Sequence, residues 1–279
     1  MLSSLILLSL ATAISAECHR EFLKNSTDTY INAQTLGQYE NVKSLIFDFA
    51  PYNENNIPTA LEGGILATPI KIDFARSVHD TVQCATFTEL IAASNPHPYV
   101  IHTRMEFDAN KMKASRIESI VTDKGDWLFN ATGTLALNEP EKWDAIPKAQ
   151  QDSRAVIQSI GDAYFDRFGN VSVVVPWGPP CYRVEGGLPA KGTLTASGDC
   201  VMEWPSTIHV PYRRYVVDEQ YGVVSLFVGF PGLDRTQGED PMPDSHVFRV
   251  EGGKLKYLHT ASACVVEGCG LNSTFGGGL

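Results

Sequence analysis

The sequence predicts an α+β protein made of two tandem halves, each a single helix packed on a curved antiparallel sheet. Three observations predict this architecture. Two helical segments share the pattern Asp-x-Tyr, each is followed by a short apolar run ending in proline and an aromatic residue, and each half then carries long β-rich hairpins. Because one amphipathic helix on a bent sheet leaves space between the layers, we expect each half to form a cone around an internal cavity.

The two predicted helices have apolar residues at helical spacing and recognisable ends. The segment "CHREFLKNSTDTYINAQTLGQ" carries the first helix and stops at Gly37. The segment "DSRAVIQSIGDAYFDRFGN" carries the second, with Asp152 or Ser153 as the N-cap and Gly169 after the end. The apolar faces consist of Phe22, Leu23, Tyr30 and Ala33 in the first helix and of Val156, Ile157, Ile160, Tyr164 and Phe168 in the second.

Strand-rich segments follow each helix. The apolar runs end at Pro51-Tyr52 and at Pro176-Trp177. The first half closes with the hairpin "YVIHTRMEFDANKMKASRIESIV". The second closes with "RRYVVDEQYGVVSLFVGF" and "SHVFRVEGGKLKYLHTAS", where two glycines supply the positive φ of a tight turn. A helix followed by a bent sheet, twice over, is the arrangement of the nuclear-transport-factor-2-like (NTF2-like) and polyketide-cyclase-like (SnoaL-like) families.

This repeat divides the chain. We assign residues 1–16 to a signal peptide, 17–125 to the first half and 152–264 to the second half. Residues 126–151, rich in Asn, Pro, Gly and Lys, form a linker, and residues 265–279 form a flexible C-terminal tail.

Several features predict passage through the secretory pathway, with the mature protein retained there or extracellular. The chain opens with an apolar run from Leu5 to Leu10 and an A-x-A-like cleavage site, too short to span a bilayer. An even number of cysteines suggests disulfides, and we favour the pairs Cys18–Cys84, Cys181–Cys200 and Cys264–Cys269 among many alternatives. Four glycosylation sequons begin at Asn25, Asn130, Asn170 and Asn272.

The net charge and the absence of known motifs exclude several classes of function. The formal net charge of −10 argues against nucleic acid or an anionic membrane as the main partner, and no later segment predicts a membrane span. The sequence contains no G-x-S-x-G elbow, P-loop, G-x-G-x-x-G or H-E-x-x-H motif. We therefore expect chemistry without a cofactor, metal or covalent intermediate.

The segment "IDFARSVHDTVQCATFTEL" reads as one strand with charged residues in its middle. Alternation places Arg76, Asp80 and Cys84 on one face and His79 on the other, which excludes a His79–Asp80 dyad in a regular strand. For Arg76 and Asp80 the alternative is a structural salt bridge to neighbouring strands, and for His79 a hydrogen-bonded wall residue.

Further polar and aromatic residues are candidates for lining a pocket. In the last strand pair of the first half, Tyr99, Ile101 and Thr103 alternate with His102 and Arg104. His246, Arg249, Tyr257 and His259 occupy the second hairpin, with core or surface roles as the alternative. Planar aromatic faces suit an apolar or conjugated ligand, and the candidates for such contacts are Tyr52, Trp127, Trp177 and Tyr257.

Long strings of this sequence resemble a family of secreted fungal proteins. They are "CHREFLKNSTDTYINAQ", "IKIDFARSVHDTVQCATFTELI", "IESIVTDKGDWLFNATGTL", "DSRAVIQSIGDAYFDRFGN", "VPWGPPCYRVEGG" and "SHVFRVEGGKLKYLHT". Members of that family with an assigned role are hetero-Diels–Alderases of tropolonic sesquiterpenoid biosynthesis. They join a humulene-type olefin to an o-quinone methide, derived from a hydroxymethyl tropolone, and form a dihydropyran.

The resemblance implies a cofactor-independent hetero-Diels–Alderase (a pericyclase) acting on apolar or conjugated small molecules. Independently of the resemblance, a homodimer is one option for its assembly. Hydrogen bonds to the diene oxygen would come from Arg76, His79, Arg104 or a tryptophan N–H. The candidates for substrate contacts are Tyr52, His102, Trp127, Trp177 and Tyr257. Two alternatives stay open: another cofactor-free NTF2-like dehydratase, isomerase or cyclase, and a secreted binding protein without catalysis.

Overall fold

The computed structural model describes residues 18–189, 200, 207–231, 241–265 and 269. The predicted signal peptide, Asn272 and most of the predicted tail lie outside these residues. Within them the chain is an α+β protein, as predicted, with two six-stranded sheets and four α-helices. No helix in this part has the length and apolar character that crossing a membrane requires.

The predicted helices are confirmed. The four helices are α1 (Arg20–Leu36), α2 (Glu40–Lys43), α3 (Ala131–Asn138) and α4 (Arg154–Arg167). Helix α1 ends where Gly37 adopts a left-handed φ of 65°, and α4 begins where the Ser153 hydroxyl accepts from the Val156 N–H. Helix α3 lies inside the segment taken as linker and begins at Asn130, whose side chain accepts from the Gly133 N–H at 2.9 Å.

The two sheets have the same strand order. The first contains β1 (Tyr52–Glu54), β2 (Ile57–Pro58), β3 (Phe74–Asp80), β4 (Ala85–Ala92), β5 (Tyr99–Asp108) and β6 (Lys113–Thr122), in the order β2-β1-β6-β5-β4-β3. The second contains β7 (Trp177–Glu185), β8 (Leu188–Pro189), β9 (Arg214–Asp218), β10 (Val223–Phe230), β11 (Met242–Glu251) and β12 (Lys254–Ser262), in the order β8-β7-β12-β11-β10-β9. In each sheet one pair is parallel, β1 with β6 and β7 with β12.

The segment from residue 72 to 90 is a hairpin, so its prediction as one strand was wrong. Strand β3 ends at Asp80, whose carboxylate accepts from the N–H groups of Val82 and Gln83 at 3.1 and 2.8 Å and holds a turn. The chain then reverses through Cys84, which has a φ of 54°. As a result Arg76 lies directly opposite Glu89 on β4.

Each sheet is covered on both faces. Helix α1 packs on one face of the first sheet around Leu23, Leu90 and Met105, and α4 packs on one face of the second. The remaining faces pack on each other through Phe87 and Phe227. Because both faces are covered, β4 is buried at every position, which explains why its sequence alternates less clearly than a half-exposed strand.

Two reciprocal ion pairs join the halves where β3 and β9 end. Arg20, the first residue of α1, donates to both carboxylate oxygens of Asp218 at 2.8 and 2.7 Å. Arg154, the first residue of α4, donates to both oxygens of Asp80 at 2.7 and 2.6 Å. Each helix therefore binds the end of a strand in the sheet on which it does not pack.

Three disulfides lie within the described part of the chain and match the favoured pairing. Cys18–Cys84, Cys181–Cys200 and Cys264–Cys269 have Cα–Cα distances of 5.2, 5.5 and 5.6 Å. The first pair connects the start of α1 to the turn between β3 and β4. Among the sequons, Asn25 and Asn170 are exposed and Asn130 is half-buried, and their glycosylation stays a prediction.

Candidate active site

The structure distributes the predicted site residues over four places. They are the groove beside α1 (His79), the layer between the sheets (Arg76, His102, Arg104 and Tyr257), the first interior (Tyr52) and the second interior (Trp127 and Trp177). The terms first interior and second interior denote the helix-facing sides of the first and second sheets. The layer between the sheets brings Arg76 and Tyr257 together, but no one place among the described residues unites all the predicted catalytic residues with the predicted aromatic wall.

His79 lies between β3 and α1. Its Nε2 atom is 3.1 Å from the Thr27 hydroxyl, and its backbone N–H donates to Asp218 at 2.9 Å. Burial lowers the pKa of this imidazole to about 4, so the ring is neutral near pH 7. Beside it lies an open groove of about 380 Å³, lined partly by Arg20, Lys148 and Glu219. The adjacent Asp80 binds Arg154 instead, as alternation along the strand requires.

Glu89 is the centre of an ion network between the sheets. Its Oε2 atom accepts from Arg76 at 2.8 Å and from Asn138 at 3.2 Å, and its Oε1 atom lies 2.9 Å from His259 Nδ1. The other ring nitrogen of His259 is 2.7 Å from Glu141. Burial alone would lower the pKa of His259, but the two carboxylates raise it to about 9. The network joins both sheets to the segment containing α3.

Aromatic rings cover this network. The Arg76 guanidinium lies 3.9 Å from the Trp143 ring centroid, and the Tyr257 ring stacks on Trp143 at 5.6 Å.

His102 Nδ1 is 3.1 Å from the Ser245 hydroxyl across the two sheets. Its Nε2 atom is 3.5 Å from Glu89, too far for a good hydrogen bond. Because nearly every charge here has a protein partner, this cluster is better suited to joining the halves than to binding a substrate.

Arg104 belongs to a second ion network. Its Nη1 atom donates to Glu106 and to Glu118, both at 3.1 Å. Arg214 of the second half also donates to Glu118, at 2.9 and 3.0 Å. The roles of Arg76, His79 and Arg104 toward a substrate stay predictions, and each of these side chains has protein partners in the structure.

The first interior contains neutral hydroxyl groups. The Tyr30 hydroxyl is 2.6 Å from the Thr103 hydroxyl, which is 2.8 Å from that of Ser119. The Tyr52 hydroxyl donates to Glu54. Burial raises the pKa of Tyr30 and of Tyr52, so both hydroxyl groups stay protonated.

The second interior has an imidazole and a guanidinium in two of the same rows. Each sheet has a β-bulge in its last hairpin, and residues at the same distance from the bulge occupy equivalent positions, here called rows. On this count His246 is equivalent to Thr103, and Thr260 is equivalent to Ser119. On the neighbouring parallel strand, Arg183 takes the row of Tyr52. Both interiors have a tyrosine from the helix that covers them. Tyr30 of α1 and Tyr164 of α4 are each the last residue of an Asp-x-Tyr pattern.

Arg183 is buried in the second interior beside aromatic rings. Its Nη2 atom donates to Glu185, which also accepts from the Trp127 indole N–H at 3.3 Å. Burial acts to lower the pKa of Arg183, but Tyr164 and Glu185 outweigh it and raise that pKa. The Tyr164 ring lies 6.0 Å from the guanidinium and 6.3 Å from the Trp177 ring. A fixed cation therefore faces an aromatic wall.

His246 and Asp244 form a second polar group in this interior. They lie on one face of β11, and His246 Nδ1 is 3.1 Å from Asp244 Oδ2. The His246 ring packs among aromatic side chains, 5.3 Å from Tyr164 and 4.8 Å from Phe165. The Ser262 hydroxyl donates to the other Asp244 oxygen at 2.7 Å.

Three buried polar atoms here have no hydrogen-bond partner within the described residues. They are Arg183 Nε, Asp244 Oδ2 and His246 Nδ1. Buried polar atoms are normally satisfied, so such a group inside an aromatic-walled interior marks a candidate active site. Among the described residues no three His, Cys, Asp or Glu side chains gather as a metal site would need.

Sequence reasoning missed most of this set. Trp127 and Trp177 were predicted as wall, and His246 was named as a residue of the second hairpin. Arg183, Glu185 and Asp244 were not singled out. A signal existed: Arg183 with Glu185, and Asp244 with His246, are polar pairs two residues apart within strands, so each pair shares one face.

Comparisons with known proteins add a family model and a distant structure. Residues 150–262 match the model described as "Domain of unknown function (DUF8021)", a range that runs from α4 to the end of β12. No curated protein matches the chain. One similar solved structure is an NTF-2-like protein of unknown function from Burkholderia xenovorans LB400. It is 15% identical, covers 37% of this chain and 84% of its own, and has a TM-score of 0.29.

Proposed function

We propose that this chain is a cofactor-free enzyme of two tandem NTF2-like halves, with its active site in the second interior. The observation that carries the proposal is the group of partnerless polar atoms beside Tyr164, Trp127 and Trp177. Aromatic faces suit a conjugated ring, while a guanidinium and an imidazole suit its oxygen atoms. The substrate class is therefore a flat, oxygenated, conjugated small molecule.

The specific reaction we propose is an intermolecular hetero-Diels–Alder addition. It is supported by the sequence resemblance to fungal hetero-Diels–Alderases. An aromatic interior would hold the o-quinone methide and a humulene-type olefin in a near-attack arrangement, which removes much of the entropic barrier. Arg183 would donate to the diene oxygen, where negative charge develops in the transition state. The disulfides and sequons support a secreted glycoprotein as the form in which the enzyme works.

A second candidate function is a dehydratase or isomerase that acts on the same class of ring. The Asp244–His246 pair favours it, because a buried carboxylate beside an imidazole is suited to moving a proton. The two functions are compatible, since loss of water from a hydroxymethyl precursor generates the quinone methide that the addition consumes.

The test incubates purified, glycosylated protein with a hydroxymethyl tropolone and humulenol, and separates the adducts by chiral chromatography. We expect a single enantiomer above the uncatalysed background, and a loss of about 100-fold or more in Arg183→Ala. Quinone-methide formation without stereochemical control would favour the dehydratase. Unchanged rate and selectivity would refute both functions and favour a binding protein.

The same assay separates the two sets of candidate residues. His79→Ala and Arg104→Ala remove side chains predicted from sequence, whereas Arg183→Ala and His246→Ala remove the second-interior groups. Our proposal expects the first two variants to keep their stereoselectivity. If only His79→Ala and Arg104→Ala lost stereoselectivity, the active site would not lie in the second interior.

A further inference from the structure

We propose that Ser262 and Asp244 act as positioning residues that fix one tautomer of His246, with its proton on Nδ1 and with Nε2 facing the substrate. This inference rests on the proposed function for its role in catalysis. Its geometric basis is independent of that function, because the three side chains lie together on the second sheet.

The contacts form a chain in one direction. Asp244 and Ser262 are directly opposite each other on β11 and β12, and the Ser262 hydroxyl donates to Asp244 Oδ1 at 2.7 Å. This bond turns the other oxygen, Oδ2, toward His246 Nδ1 at 3.1 Å. All three residues are almost fully buried, so water does not compete for these atoms.

A carboxylate beside Nδ1 selects the tautomer. The two atoms do not meet the geometry of a hydrogen bond, but the negative charge of the carboxylate, 3.1 Å away, favours a proton on Nδ1. The neutral imidazole then has its lone pair on Nε2. In water the proton of a neutral imidazole exchanges between the two nitrogens, so the structure supplies a constraint that a free side chain lacks.

The fixed tautomer allows a balanced proton transfer. Nε2 accepts the proton of a ring hydroxyl, and the imidazolium returns this proton to the oxygen of a neighbouring hydroxymethyl group. The carbon–oxygen bond breaks, its electron pair leaves with the oxygen as water, and the ring becomes an o-quinone methide. The substrate thus loses one water molecule, and His246 ends in its starting state.

The experiment measures the tautomer directly by ¹⁵N NMR of histidine-labelled protein, with His246 assigned by its loss in His246→Gln. We expect the wild-type proton on Nδ1. Ser262→Ala should raise the Nε2-protonated population several-fold and lower turnover roughly 10-fold, and Ser262→Thr should restore both. Ser225→Ala is the matched control, because it removes a buried hydroxyl without a hydrogen-bond partner in the described residues.

Two results would overturn the positioning role: a wild-type proton on Nε2, or populations unchanged in both Ser262→Ala and Asp244→Asn. A merely structural serine would alter stability and leave the tautomer alone. If Ser262→Ala does not fold, the wild-type spectrum and Asp244→Asn still decide. An Nδ1 proton together with no turnover would refute the proposed function and leave the positioning intact.

Discussion

The two interiors are built on sheets of the same strand order but hold different chemistry. In the first, a tyrosine, a threonine and a serine form a chain of neutral hydroxyl groups that satisfy one another. In the second, Arg183 and His246 take the rows of Tyr52 and Thr103, and both have atoms without a protein partner. The comparison teaches that two sheets of the same strand order can differ in how far their buried polar groups satisfy one another, and our proposal assigns the unsatisfied group to ligand binding.

The largest expected effect on catalysis comes from replacing a residue of the second interior by its equivalent in the first. His246→Thr places in the second interior the residue found at the equivalent row of the first. Because general acid–base catalysis is worth about 100- to 10,000-fold, we expect kcat/KM to fall by that factor. The measurement is the initial rate of adduct formation at low substrate concentration.

Thr103→Val is the matched change in the first interior, where it removes a hydroxyl that contacts Tyr30 and Ser119. We expect it to lower stability and to leave the stereochemistry of the product unchanged. A similar loss of catalysis from both exchanges would mean that the two interiors do not differ in function as we propose.

Substitutions in the reciprocal ion pairs measure how much each pair contributes to the stability of the fold. Asp80→Ala and Asp218→Ala each remove a fully buried carboxylate that binds an arginine of the other half. Removing one partner of a buried pair costs about 3–5 kcal/mol, and we expect a smaller loss for Asp218 because Arg20 is a third exposed. Urea unfolding followed by circular dichroism measures the change.

Asp28→Ala is the control, since its pair with Lys24 on α1 is exposed and should change stability by less than about 0.5 kcal/mol. Equal and small effects of all three substitutions would show that the interface does not depend on the reciprocal pairs.

The smallest expected effect is a pH dependence of stability from the His259–Glu89 pair between the sheets. The pKa of His259 is raised to about 9 from its ordinary value of 6.5, so its charged form stabilises the fold fully below 6.5, and this is lost as pH rises through 9. The pKa of Glu89 lies well below its ordinary value of 4.5, so its contribution is present above 4.5 and is lost as pH falls. Stability should be highest between these limits.

His259→Gln should flatten the alkaline decline in stability, measured by urea unfolding at several pH values. The groups facing this imidazole are Glu89, Glu141, Asn138 and, through Glu89, Arg76. In the first sheet the equivalent row holds Glu118, and Glu118→Gln should leave the alkaline decline in place. An unchanged alkaline decline in His259→Gln would contradict this assignment.

Local signals in the sequence predicted much of the fold. The stop at Gly37, the cap at Ser153 and the glycine pair at 252–253 require particular backbone conformations, and each is found where expected. The turn at Asp80 was missed because its signal, a carboxylate that accepts from two N–H groups, lies in a run rich in β-forming residues. Helix α3 was missed because it is short and the Pro and Lys residues that follow it suggested a linker.

The candidate site was less predictable for a physical reason. Alternation along a strand shows which residues share a face, and it correctly separated His79 from Asp80. It does not show which face lines an interior, or which strands become neighbours through pairing distant in sequence. Arg76 and Glu89 lie opposite each other on adjacent strands, but their link to His259 depends on the packing of two sheets.

The exchange of arginines between the halves has a consequence for biosynthesis. Asp80 leaves the ribosome 74 residues ahead of Arg154, and Arg20 leaves 198 residues ahead of Asp218. At about 5–20 residues per second, Asp80 waits roughly 4–15 s for its partner and Arg20 waits roughly 10–40 s. Until the second half is synthesised, the nascent first half therefore carries both Asp80 and Arg20 without these ion-pair partners.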